Sequence, residues 1–229
     1  TAIPLPLAIA LGCLVGIVVG ALNGIVVAYL GVVPFIATLG MQYAVRGVAL
    51  VYTGGRPINA LTTAFTNLGK GYAGPIPVPV IIFAIVALIS WFFLAKTQFG
   101  RYIYAIGGNE KAALVSGLRV KQLKFLSYVI NGMTAALAGI LLAARVAVGS
   151  PTAGESYDLL AITAVVVGGT SNAGGTGGIL PSIIGVFIVT VMNNGMDLLG
   201  ISGYYQKIVT GVVVLLAVII DRNNVNRNH

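Results

Sequence analysis

The side chains that most often carry catalysis or bind metals are scarce in this sequence. The only histidine is the last residue, His229, and the only cysteine, Cys13, lies within an apolar run. Five acidic residues are spread over 229 positions, and no two of them are paired within one predicted helix. General acid–base catalysis and metal binding both need such groups close together. The sequence therefore predicts no catalytic or metal site, and a membrane-embedded enzyme is the class it supports least.

Positive charge is the one chemical feature that is concentrated. Residues 96–124 hold six of the thirteen lysines and arginines and a single acid, Glu110. The whole chain is 58% hydrophobic and only 8% charged, whereas a soluble domain carries about 25% charged residues. The net charge of +8 is therefore interpreted by its location along the chain rather than as a nucleic-acid-binding surface.

The elements that position this basic stretch are long apolar segments. Spanning a bilayer takes a helix of about 20 residues, and the continuous apolar runs here lack the alternation of a β-barrel strand. We expect an all-α polytopic membrane protein with about seven transmembrane segments in a single domain, residues 1–229. The seven segments cover residues 5–30, 35–53, 80–95, 125–148, 157–167, 179–199 and 204–220.

The basic stretch also sets the orientation. Lysines and arginines near membrane ends stay on the cytoplasmic side, which places residues 96–124 and a polar tail with Arg222 and Arg227 inside. Residues 31–34 then form an inner turn, and Pro34 starts the next helix. Residues 54–79 form an outer connection that contains a short helix at 60–68. If segment 157–167 only dips into the membrane and returns, the tail faces outward instead.

Glycines are arranged in two different ways. Gly12, Gly16, Gly20 and Gly24 recur at four-residue spacing on one helix face, which allows close approach of another backbone in lipid. We favour packing within the chain over a subunit interface. The segment GGTSNAGGTGG, residues 168–178, lacks the Lys and Ser/Thr of a phosphate-binding loop. It is either an inner turn or an irregular element of a transport path.

Ionisable residues within spans are few and lie near helix ends. Arg46, Arg145 and Asp197 fall toward the outer ends, where they either snorkel to the interface or line an outer vestibule, paired with each other or with Glu155 or Asp158. The spans carry no series of buried acids such as proton-coupled carriers use.

Uncharged polar residues within the spans are the candidates for a solute path. Asparagine amides suit a neutral, hydroxyl-rich solute, although they also suit hydrogen bonds between helices. The candidates are Asn23, Asn131, Asn193 and Asn194.

A short helix is predicted inside the basic stretch. Asn109 is placed to cap its N-terminus, Glu110 lies in its first turn, and Gly117 is placed to end it. The residues Ala112, Ala113 and Ser116 are small. Such a helix fits a groove in another protein, and an unpartnered cytoplasmic loop is the equally weighted alternative.

The stretch GRYIYAIGGNEKAALVSGLRV resembles the cytoplasmic coupling loop of permeases in the ribose-type family of ATP-binding-cassette sugar importers. The likeness continues through NGIVVAYLGVVPFIATLG, ARVAVGSPTAGESYDLLAITAVVVGGTSNAGGTGG and NNGMDLLGISGYYQKIV. It covers nearly the whole chain with its motifs in order. Within the family the ribose permeases look closest, ahead of those for xylose, arabinose, galactose, allose or autoinducer-2.

The resemblance implies a transport subunit rather than an enzyme, in the bacterial inner membrane. A homodimer of permeases would enclose the path, two cytoplasmic ATPase subunits would bind ATP and Mg²⁺, and a periplasmic protein would deliver the sugar. The seven segments would match the last seven of a ten-helix importer of the vitamin B12 type. The preceding helices, with a polar Asp-Leu-Ser signature, would be absent.

Carried onto this chain, the resemblance implies two sets of contact residues. The coupling helix gripped by the ATPase would comprise Gly107, Gly108, Asn109, Glu110, Ala112, Ala113, Ser116 and Gly117. Candidates for docking the binding protein would be Arg56, Asn59, Glu155 and Asp158. The alternative from a different class is a self-contained channel or facilitator for a small neutral solute, in which residues 96–124 have no partner.

Overall fold

The computed structural model describes residues 4–59 and 62–227, and helices dominate this part of the chain. A five-residue π-helical turn, Ile25–Tyr29, follows the first helix, and the strands β1 (Tyr72–Ala73) and β2 (Ile76–Pro77) form a small antiparallel pair. The helices are α1 Leu5–Gly24, α2 Pro34–Thr53, α3 Thr63–Lys70, α4 Val78–Lys96, α5 Gln98–Gly108, α6 Glu110–Val115, α7 Val120–Val146, α8 Tyr157–Val167, α9 Ile179–Leu198 and α10 Gly203–Arg227.

The predicted all-helical architecture is confirmed. Within the described residues, five helices are long and apolar enough to cross a membrane: α1 with its π-helical turn, α2, α4, α7 and α9. The remaining two segments are shorter apolar helices, Tyr157–Val167 and Gly203–Ala217. The count of seven spans stays a prediction.

Several predicted boundaries are wrong, and each error has a local cause. Helix α7 begins at Val120 rather than at residue 125, because lysine and glutamine continue a helix beyond its apolar part. Helix α10 continues to Arg227, since no glycine or proline follows Gly211 to stop it. The short helix predicted at residues 60–68 is α3, Thr63–Lys70, and residues 60–61 of the predicted range lie outside the described residues.

Close contacts divide the chain into two units, Thr1–Val86 with Arg119–Gly154 and Ala87–Leu118 with Glu155–His229. In the first unit, α1 packs along α7 through its glycine face. A Cβ on Gly16 would meet the carbonyl oxygen of Gly132 and the side chain of Ala136, and one on Gly20 would meet the carbonyl oxygen of Tyr128. The predicted role of these glycines in packing within the chain is confirmed.

The far end of α7 holds the long connection between α2 and α4. Gly69 of α3 lies directly against the backbone of Ala144 and Arg145, and Ala144 is completely buried. Ile58 and Gly149 exchange two backbone hydrogen bonds of 2.9 Å each. The connection after α2 is thereby fixed to the turn that follows α7.

In the second unit, α8 and α9 cross with equally little space between them. A Cβ on Gly185 of α9 would meet the carbonyl oxygen of Ala164, and one on Gly168 would meet that of Pro181. Thr163 is 1% exposed, and its hydroxyl donates to the carbonyl oxygen of Leu159 at 2.6 Å. Residues 168–178 connect these two helices, and α10 packs on both of them.

Replacing Gly132 with alanine is expected to weaken the α1–α7 contact. The added Cβ would fall on the carbonyl oxygen of Gly16, so the helices must separate, and overpacking typically costs about 1–3 kcal/mol. The thermal unfolding midpoint of the detergent-purified protein should therefore fall. Gly139→Ala is the matched control, because nothing lies within 4 Å of a Cβ there. Equal midpoints for the two variants would contradict this account.

Candidate functional site

Helix α6 begins and ends where the sequence predicts. Asn109 is its N-cap, and the side-chain Oδ1 accepts a hydrogen bond of 3.0 Å from the backbone N–H of Ala112. Gly117 has a φ of +82°, which favours glycine, and the N–H of Leu118 donates to the carbonyl oxygen of Ala113 at 3.1 Å. Both ends of this six-residue helix are therefore specified by side chains and a turn of its own sequence.

The outward face of α6 differs from the small face that the sequence predicts. Ala113 is only 5% exposed, so it packs inside the chain, whereas Ala112 and Ser116 are exposed. Leu114 is 64% exposed and Val115 is 88% exposed. The sequence reasoning overlooked this apolar pair, although two bulky apolar residues in a charged stretch are an available signal of a docking surface.

The glycine-rich segment 168–178 lies directly on the helix that precedes α6. A Cβ on Gly174 would be 2.8 Å from the carbonyl oxygen of Gly107, and one on Gly175 would be 2.8 Å from the Cα of Gly108. Gly174 and Gly175 both have positive φ angles, which allow the main chain to turn this closely. Two sequence features that were considered separately thus form one backbone contact.

Side chains hold this contact in place. The hydroxyl of Tyr104 donates to the carbonyl oxygen of Gly177 at 3.0 Å, and the hydroxyl of Ser182 donates to that of Gly178 at 2.8 Å. A cavity of about 270 Å³ lies beside the contact, with Tyr104 and Thr170 in its wall. The arrangement connects the α5–α6 region to both α8 and α9.

A second cavity, of about 360 Å³, lies in the first unit beside α1 and α2. Its polar lining consists of Asn23 and of three residues at four-residue spacing on α2, namely Thr38, Gln42 and Arg46. The Oδ1 atom of Asn23 is buried and has no hydrogen-bond partner. The cavity lining thus contains one polar face of α2 and, from α1, a residue whose amide oxygen is closed to solvent and has no partner.

Gln42 is a candidate that the sequence reasoning missed. The signal was present, because residues 38, 42 and 46 fall on one helix face, but only the asparagines and the charged Arg46 were considered. Apolar and small residues complete the lining of this cavity: Val19, Met41, Val45, Ala49 and Pro151.

Comparison with known proteins identifies the family of this chain. A family model described as "Branched-chain amino acid transport system / permease component" matches residues 1–218. The chain belongs to this permease family. No solved structure matches it.

Curated relatives of this permease-family chain include sugar permeases. The ribose import permease protein of Bacillus subtilis (strain 168) is 50% identical over 202 residues, covering 87% of this chain and 63% of that protein. The ribose import permease protein of Escherichia coli (strain K12) is 48% identical over 218 residues, covering 93% and 68%. The D-allose transport system permease protein of the same strain is 40% identical over 211 residues, covering 92% and 65%. The chain thus spans about two thirds of the length of these relatives.

The other predicted path residues of the permease-family chain lie in varied surroundings. Asn131, near the middle of α7, is exposed and does not line the α1–α2 cavity. On α9, Asn193 is half-buried and Asn194 is exposed. Their role stays a prediction.

The predicted docking residues are all at the surface. Arg56 and Asn59 flank Ile58, which the hydrogen bonds to Gly149 fix in place, and both side chains are exposed. Glu155 and Asp158 are exposed at the start of α8. Asp197 accepts a hydrogen bond of 2.7 Å from Nε2 of Gln206, a residue of α10.

Gly107→Ala is expected to loosen the 168–178 segment, because the new Cβ would fall on the backbone N–H of Gly175. Hydrogen–deuterium exchange by mass spectrometry should show faster uptake in peptides covering residues 168–178. Gly108→Ala is the matched control on the neighbouring residue, where a Cβ would be 4.0 Å from the Cα of Gly175. Unchanged exchange in the Gly107 variant would mean that the segment does not depend on this contact.

Proposed function

We propose that the chain forms the membrane-spanning part of the permease subunit of a binding-protein-dependent ATP-binding-cassette importer. The solute is a monosaccharide, with ribose as the favoured candidate, and it is carried into the cytoplasm. The observation that carries this proposal is 48–50% identity to two ribose import permease proteins over most of the chain. The match to a transport-system permease family over residues 1–218 supports it.

The energy comes from separate ATPase subunits in this proposal, and those subunits bind ATP and Mg²⁺. Helix α6 and its approach, residues 107–117, form the coupling helix. Ala112, Leu114, Val115 and Ser116 supply its contact surface, since these side chains are exposed whereas Ala113 is buried. An apolar helix face bordered by positive charge fits a groove with an acidic rim.

Seven spans are proposed, corresponding to the last seven of a ten-helix permease of the vitamin B12 type. Helix α8 has 11 residues, about 16 Å at 1.5 Å per residue, which is roughly half of the hydrocarbon thickness. The irregular 168–178 segment continues from α8 and contacts Gly107 and Gly108. This contact supports a segment that reaches the cytoplasmic side, which in turn places the C-terminus in the cytoplasm.

Two copies of the permease enclose the path in this proposal, within the bacterial inner membrane. Asn23, Asn131, Asn193 and Asn194 are its candidate polar residues. Asn131 supports this arrangement, because a polar side chain exposed near the middle of a span needs protein or water beside it rather than lipid. The whole chain, residues 1–229, acts as one transmembrane domain.

The binding protein is proposed to dock on the outer connections. Arg56, Asn59, Glu155 and Asp158 are exposed and carry charges of both signs or an amide. Such a mixed surface suits steering of a partner more than tight binding.

Reconstitution of the permease with its ATPase and binding protein in proteoliposomes tests this function. Uptake of labelled ribose is expected to exceed equilibrium only when ATP and the binding protein are both supplied. Equilibration that needs neither would instead establish a facilitator for a neutral solute, the alternative class.

Ala112→Trp is expected to reduce co-purification of the ATPase with the permease, because a large side chain at this exposed position would hold α6 away from its groove. Ala153→Trp is the matched control, an identical change at an exposed alanine in the turn after α7. Both variants should reach the membrane in equal amounts. Equal ATPase recovery would exclude this face of α6 as the contact.

A further inference from the structure

The cavity beside α1 and α2 has polar residues arranged as in a binding site. Thr38, Gln42 and Arg46 follow one face of α2 over about 12 Å, at 1.5 Å per residue. Asn23 contributes from α1, just before the π-helical turn Ile25–Tyr29.

The amide of Asn23 requires a partner. Its Oδ1 atom is buried without a hydrogen-bond partner, so the desolvation of this oxygen is not compensated. The cost is greater in a span, where water does not reach the hydrocarbon-facing surface. Because the Oδ1 atom is closed to solvent in this structure, rotation of the amide toward the cavity that Asn23 lines would let a bound group remove this cost.

The lining restricts what that group is. It contains one cationic residue, Arg46, and no acid, so a cationic solute would meet repulsion without compensation. Arg46 already interacts with another group of the chain, which weakens the case for an anion. Asn23 and Gln42 each carry both an acceptor and a donor group.

A hydroxyl group matches this lining best, because it both donates and accepts. It satisfies an asparagine amide in either orientation, so the argument does not depend on which atom is taken as oxygen. The volume of about 360 Å³ lies at the small end of the range of ligand pockets, roughly 300–1,000 Å³. A small solute with several hydroxyl groups therefore suits both the chemistry and the size.

We propose that this cavity is a hydroxyl-binding station for a neutral polyhydroxylated solute, with Asn23 and Gln42 as the groups that hold it. The identification of the solute with a monosaccharide in transit rests on the proposed function. The presence of a water-accessible site that binds a polyol does not depend on the proposed function. Pro151, from the turn after α7, borders the cavity and connects it to the proposed outer side.

Thiol labelling in membranes tests the proposal, and the chain suits it because Cys13 is its only cysteine. In a Cys13→Ala background, Val45→Cys and Val48→Cys each place one thiol on α2. Val45 lines the cavity and is 37% exposed, whereas Val48 is 70% exposed on the chain surface and absent from the lining. Both variants keep Asn23 and Gln42 intact.

A charged methanethiosulfonate reagent should modify Val45→Cys at least about tenfold faster than Val48→Cys. A charged reagent enters hydrocarbon only at high cost, so a thiol that faces lipid is shielded from it, whereas a thiol in a water-accessible cavity is not. The order is the reverse of the order of exposure in the isolated chain. Equal rates, or faster labelling at Val48, would overturn the proposal.

Ribose should then slow labelling of Val45→Cys in a concentration series, whereas potassium chloride of equal osmolarity should not. Adding Gln42→Leu or Asn23→Leu should abolish this protection while labelling itself continues. Labelling without protection by ribose would overturn the assignment of the ligand.

Uptake in proteoliposomes separates this inference from the proposed function. ATP-dependent uptake, without protection of the Val45→Cys thiol by ribose, would support the importer and contradict the hydroxyl-binding station. Protection without ATP dependence would keep the station and favour the facilitator.

Discussion

Contact of main chain with main chain, made possible by glycine, is the constraint on which the rest of this structure depends. Lipid offers helices no hydrophobic gain for associating with one another, so close van der Waals contact must supply it. The chain places glycines wherever two elements meet most closely: Gly16 against Gly132, Gly185 against Ala164, and Gly107 against Gly175. Each of these contacts lies within one of the two units.

The two candidate sites depend on these contacts in different ways. The α1–α7 contact holds α1 in place, and with it the position of Asn23 on the cavity wall. The contact between residues 107–108 and 174–175 holds α5, so that α6 presents Leu114 and Val115 outward while Ala113 stays inside. The cavity wall and the exposed face of α6 thus lie on helices that are held mainly by backbone contacts at glycines.

Local signals in the sequence predicted the long apolar helices and both ends of α6, although helix α5 was not predicted and the start of α7 and the end of α10 were wrong. The capping of α6 by Asn109 and the glycine face of α1 could be predicted because each depends on residues within a few positions. The contact of Gly107 with Gly175 could not, since residues 68 positions apart leave no periodic signal. Burial of Ala113 was missed for a related reason: a small residue fits either face of a helix, and only the surrounding fold decides which. Gln42 was missed although its spacing from Thr38 and Arg46 was visible.

The close contacts at glycine also bear on how such a chain can vary. Glycine has the smallest side chain, so every substitution at Gly16, Gly107 or Gly185 adds atoms where backbone already lies. A contact between two large side chains tolerates a pair of substitutions in which one partner becomes smaller and the other larger. A contact between two backbones has no side-chain volume that could be changed in this way. A substitution at one of these glycines therefore disrupts the contact and cannot adjust it. Among the glycines, substitution is therefore expected at positions such as Gly40 and Gly139, where an added methyl group meets nothing within 4 Å.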